Sequence, residues 1–171
     1  MSEHVVAEQK VGTVDVFGLI ERLMARPEMQ GPVDELAKAL NDRIAAAQQE
    51  LEGLQRELQG MQASDPQAEA TQQAFFSKRE AFDGLVRQST GELDRFRTDK
   101  LLEAYRLARE ATVAVADRSG YTMVLASRGA DAPIDRQGMA LALQELLARP
   151  VLRGVPGDDL TGQVTAELKL E

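Results

Sequence analysis

Apolar residues between Val33 and Met61 recur at alternating steps of four and three: Val33, Ala37, Leu40, Ile44, Ala47, Leu51, Leu54, Leu58 and Met61. Two apolar positions in seven define a helix seam, and a helix of about 45 Å, at roughly 1.5 Å per residue, cannot cover such a stripe by folding on itself. It needs a partner. The stretch from Gln67 to Arg118 contains no proline and supplies one: Phe75, Phe82, Ser89 and Phe96 recur every seven residues, with Leu85, Val86 and Leu93 on the same side. Large aromatics on one leg then face small or aliphatic residues on the other. Between the legs, Ser64 or Asp65 can cap a new helix with Pro66 in its first turn, so the chain reverses near 64–66. So short a connection sends the second helix back along the first, and residues 33–118 are predicted to form an antiparallel helical hairpin. Beyond Phe96 the apolar set slips by five, to Leu101, Tyr105, Ala108, Thr112 and Val115, which predicts a change of packing partner.

The flanking sequence reads differently. "VGTVDV" (11–16) places Val14 and Val16 around Asp15 with the period of a strand. "FGLIERLMAR" follows with Phe17, Ile20, Leu23 and Met24 at helical spacing. Pro27 disfavours helix at Arg26, so 27–32 reads as a break, with Pro32 as the first residue of the long helix. After the return leg, Gly120 stops the helix and Tyr121–Ala126 reads as a second strand. Residues 136–150 predict a short amphipathic helix, 151–156 a third strand, and 158–170 a final helix carrying Leu160, Val164 and Leu168 on one face, capped by Asp158 or Asp159. The fold class is therefore α+β: a polar tail (1–10), a small β-rich body (11–32 and 119–171), and a long antiparallel coiled-coil hairpin (33–118).

Composition narrows what such a molecule does. Aromatic residues make up 4% of the 171 residues and Trp is absent, which suits long helices better than a large globular core. The net charge of −8 disfavours nucleic acid or an anionic membrane surface as the main partner, although acids and bases balance between Gln67 and Arg118. No apolar run is long enough for a membrane span. Cysteine is absent and the single histidine, His4, lies in the polar tail, so thiolate, Ser/His and His-metal chemistry have no residues to use. "GDD" (157–159) reads as helix capping rather than a cation site. No phosphate-binding glycine motif is present. Neither an enzyme nor a cofactor or metal site is expected.

The order of these pieces resembles the Skp/OmpH family of periplasmic chaperones over nearly the whole chain. The best-matching stretches are 11–26, 117–126 and 151–165, with the tyrosine strand "SGYTMVLA" directly after the return leg and "VLRGVPGDDLTGQV" beyond it. The resemblance implies a jellyfish-like homotrimer, whose strands assemble a barrel-like body and whose three hairpin tentacles enclose unfolded outer-membrane proteins without ATP. It also implies that Val14, Val16, Val124, Leu125, Val151 and Leu152 lie in or near the body and its oligomer core. It implies a periplasmic location, with a signal peptide removed before Met1; a true start at Met1 would instead place the chain in the cytoplasm. Two departures stand out. Well-known members are strongly basic whereas this chain is acidic, and 128–150 reads as an insertion between the second and third strands.

Further residues bear on how a client would be held. Gly53 and Gly60 are seven apart, as are Gly84 and Gly91, at one outward heptad position. They read either as joints that let the arms bend around clients of different size, or as tolerated drift at exposed sites. Phe76 adjoins the seam residue Phe75, and two neighbouring aromatics cannot both face one helix. It is the candidate client contact near the arm tip, or else it closes the hairpin. The reading from another class is a structural or adaptor coiled coil that binds one folded partner through the hairpin.

Overall fold

The computed structural model describes residues 9–62, 65–129, 138–151, 153–155 and 157–170. In chain order the elements are β1 (Val11–Val14), α1 (Val16–Met24), α2 (Pro27–Gly60), α3 (Ala68–Ser119), β2 (Met123–Ala126), α4 (Met139–Leu147) and α5 (Thr161–Glu167). The chain divides into two units, one of residues 1–26 with 100–171 and the other of 27–99. The division at Asp99 and Lys100 falls within the five-residue step between Phe96 and Leu101, and α3 runs through it without interruption.

In the first unit, β1 and β2 pair in parallel, with Val11 opposite Met123 and Val14 opposite Ala126. A parallel pair needs a long crossover, and here α1, α2 and α3 all intervene in sequence. The other edge of β1 takes the turn before α5: Thr13 donates to the Asp158 carbonyl and accepts from the Leu160 amide, each at 2.8 Å. Tyr121 fastens the same corner, its hydroxyl donating to Asp158 at 2.9 Å while the Lys10 ammonium sits 3.9 Å over its ring. Gly12 sits close against this corner, where a Cβ would stand 3.0 Å from the Tyr121 ring and 3.2 Å from the Asp158 carbonyl. The three sequence stretches that carry the family resemblance thus meet at β1.

The core of this unit is built from α1, α3 and α5. Leu19 and Leu23 of α1, and Leu160 and Val164 at α5, are the largest fully buried side chains. They pack in one cluster with Ala104, Ala108, Ala111, Val115 and Ala116 of α3. Alanines at steps of four and three let the other helices come close, since interaxial distance follows the size of the side chains at the contact.

Several boundaries depart from the sequence expectations. The first strand ends at Val14, because Asp15 caps α1 by accepting from the Gly18 amide at 2.9 Å, and Val16 becomes the first residue of that helix. No break occupies 27–32: α2 starts at Pro27, where the missing amide costs nothing, and Pro32 lies inside the helix at the loss of one bond. Helix α2 ends at Gly60, a few residues before the expected reversal near 64–66. In the turn that follows, Asp65 accepts from the Gln67 amide at 3.0 Å, while Ser64 falls outside the described residues. The described part of 151–156 is irregular rather than a third strand; an isolated bridge between Thr13 and Asp159 is all that extends the sheet there. The helix expected over 158–170 narrows to Thr161–Glu167 with Leu160 at its cap, and Asp159 acts one residue earlier, accepting from the Thr161 amide and hydroxyl. The body is accordingly more helical than the β-rich one expected.

Candidate functional site

Within residues 27–99 the side chains withdrawn from solvent follow the seam. Between Asn41 and Met61 of this unit the positions that are not fully exposed are Ile44, Ala47, Leu51, Gly53, Leu54, Leu58 and Met61. On α3, Phe75, Phe82, Leu85, Val86, Leu93 and Phe96 are half-buried and Ser89 is buried. Glu50 and Lys78 bridge the two helices at 2.6 Å. The deepest points are Leu40 and Ser89, at 3% and 4% exposure, and the Ser89 hydroxyl lies there without a hydrogen-bond partner. Nearer Pro32, an open groove of about 800 Å³ is floored by Leu36 and Phe96 and rimmed by Glu35, Glu92, Arg95 and Asp99.

A Cβ added at Gly53, Gly60 or Gly84 meets nothing within 4 Å, and at Gly91 it meets only the Arg95 guanidinium, at 3.8 Å. No close packing therefore demands glycine at any of the four. Phe76 is 59% exposed, its ring edge-on to Phe75 with centroids 5.9 Å apart. The unit is acidic, with fourteen carboxylates against eight bases between Pro27 and Asp99.

The body residues singled out from sequence scatter in exposure. Val14 and Val16 are buried in the chain's own core, Val124 is half-buried against it, Leu125 on β2 is exposed, and Val151 is half-buried. Leu152 lies outside the described residues. Beyond the slip, Leu101 and Tyr105 do not join the core as the apolar spacing implied. Alanines fill that face, and both large side chains stand about half exposed on the other. The spacing of Ala104, Ala108, Ala111 and Val115 was the available signal, masked by larger neighbours.

Sequence reasoning missed how the exposed apolar side chains are shared out. Phe76 is the one large apolar residue strongly exposed among the described residues of 27–99. Among its described residues the other unit exposes fourteen, including Leu101, Leu102, Tyr105 and Val113 of α3, Met123 and Leu125 of β2, and five residues of α4.

Among the described residues, no group of three or more His, Cys, Asp or Glu is placed to hold a metal ion. Asp158 and Asp159 are engaged by Tyr121 and Thr161 respectively. No described helix is long and apolar enough to cross a membrane.

The exposed large apolar side chains among the described residues fall almost all in residues 1–26 and 100–171, whereas carboxylates outnumber bases between Pro27 and Asp99. Residues 10–168 match the family of OmpH-like outer membrane proteins, and the chain belongs to this Skp/OmpH family, a family of periplasmic chaperones. No curated protein matches the chain.

Proposed function

We propose that the protein is an ATP-independent holdase of the periplasm, which binds unfolded outer-membrane or envelope proteins and keeps them from aggregating. Three copies associate through the unit of residues 1–26 and 100–171. Residues 33–118 of each serve as a coiled-coil tentacle, and the three tentacles surround the client. Family membership supplies the class. The single observation that carries the assembly is the division of exposed apolar surface, which crowds one unit and leaves the other nearly bare.

A mostly polar arm suits a carrier. Each contact with a client is weak, many act together, and any one can release while the rest persist, so that affinity comes from avidity. Phe76 provides an apolar contact of this kind, and Gly53, Gly60, Gly84 and Gly91 let the arms yield to clients of different bulk. No catalytic step is involved.

The test is dilution of a urea-unfolded β-barrel membrane protein into buffer with and without the chain, in the absence of ATP, followed by turbidity. Suppression of turbidity near one assembly per client is expected. Unchanged aggregation, together with one-to-one binding of a folded partner, would favour the adaptor reading instead.

A further inference from the structure

The chain carries a net charge of −8, yet one corner of the body gathers positive charge alone. Arg22 lies in the last turn of α1 and Arg26 just beyond its end, while Lys169 follows the end of α5. With Ala25 and Leu170 these three line an open cleft of about 470 Å³, and no acidic residue lines it. Among the described residues, none of the three cations pairs with a carboxylate. The acids next to them in sequence are engaged elsewhere: Glu21 pairs with Arg128, and Glu167 with Arg118 at 2.6 Å. Like charges gathered in one cleft repel one another unless something negative lies between them.

The helix ends account for part of this charge. Arg26 donates to the Leu168 carbonyl and, at 2.7 Å, to the Lys169 carbonyl, and so closes the C-terminal end of α5. A helix end carries about half a negative charge, so the ends of α1 and α5 together offset about one of the three cations and leave about two positive charges. Donors are left as well. The Arg26 Nε and Nη1 groups bond nothing among the described residues, and Arg22 reaches only the Thr165 hydroxyl, at 3.5 Å.

The backbone at Lys169 is an independent observation. Its φ of 54° is the one positive value outside glycine among the described residues. The Lys169 amide bonds the Ala166 carbonyl and the Leu170 amide bonds the Thr165 carbonyl, each at 3.0 Å, a reversal that ordinarily places glycine after a helix. Glycine would adopt this conformation without strain. Lysine here therefore costs stability and adds a further cation where two already stand.

We infer that this cleft is an anion site that takes a phosphate monoester group. Such a group carries about −1.5 to −2 at pH 7 and so matches the charge left over, whereas a carboxylate balances only one cation. The planar arginine fork meets two phosphate oxygens at once, and lysine adds a point charge on a flexible stem. A free phosphate or soluble ester and a lipid headgroup present the same chemistry to the cleft.

Isothermal titration of the full chain with inorganic phosphate at low ionic strength is expected to show saturable binding with a dissociation constant of about 1 mM, and acetate is expected to bind roughly tenfold more weakly. K169G removes a cation and the backbone strain together, so its urea midpoint should rise while phosphate binding weakens about tenfold. R22Q should weaken binding similarly at unchanged stability. Vesicles of phosphatidylcholine, with and without phosphatidic acid, separate the two sources. Recruitment by phosphatidic acid alone, lost in K169G, would support the site with a lipid as its ligand; phosphate binding without recruitment would support it with a soluble one. The inference is overturned if the wild type shows no saturable phosphate binding, if either variant binds phosphate as tightly as the wild type, or if acetate binds as tightly as phosphate.

Discussion

Ser89 occupies a position where the seven-residue spacing otherwise places phenylalanine, at the most enclosed level of its unit. A small side chain there lets the helices approach, but its hydroxyl is buried without a partner. An unsatisfied buried polar group costs more than its removal, and alanine is also the better helix former. S89A should therefore be more stable than the wild type by about 1 kcal/mol, read from the midpoint of urea unfolding at unchanged slope. A loss of stability would mean that the hydroxyl has a partner.

The side-chain bond from Arg118, at 2.6 Å, and the charge it brings hold the Glu167 carboxyl below its ordinary value of 4.5, and Lys100 does the same for Glu103. A carboxylate whose folded value lies below its unfolded value adds stability above the unfolded value and loses it as pH falls through the folded one. Stability should decline below about 4.5, and R118A should lose part of that slope. Both groups are exposed, so high salt should flatten the wild-type curve too. Identical slopes in R118A and wild type would contradict this account of the pair.

At the scale of elements, spacing was a good guide wherever one face of a long helix had to be covered. The steps of four and three along α2, and Phe75, Phe82 and Phe96 at seven-residue spacing on α3, mark residues that are withdrawn from solvent. Boundaries were harder, because single side chains decide them. Asp15 turns the chain out of β1 two residues before the valine pattern ends, and Pro27 starts α2 where two prolines suggested a gap. The face chosen by α4 could not be read at all. Its orientation is set by Arg128 and Glu145, seventeen residues apart, and an amphipathic helix ordinarily turns its leucines inward.

The glycines belong to this scale as well. Nothing packs against Gly53, Gly60 or Gly84, so replacing all four positions with alanine should be free of clash and stabilise the helices by about 1 kcal/mol at each site. If the arms must bend, the quadruple variant should hold a small client as before and a large one less well, measured as the ratio needed to suppress turbidity. Equal handling of both would leave the glycines without a mechanical purpose.

The chain belongs to a family of periplasmic chaperones, and among its described residues the exposed large apolar side chains are concentrated in one of its two units. The three stretches that carry the resemblance are those that converge on β1, which pairs with β2 on one edge and takes the turn before α5 on the other. The acidic balance of residues 27–99 was not anticipated by the resemblance. A cage, however, exists only if several copies come together. The direct measurement is solution mass by light scattering with small-angle scattering on the same sample. The account predicts about three times the chain mass of 18.7 kDa, with an extended, hollow profile. A single chain, or a compact dimer, would leave no enclosure in which to hold a client and would contradict it.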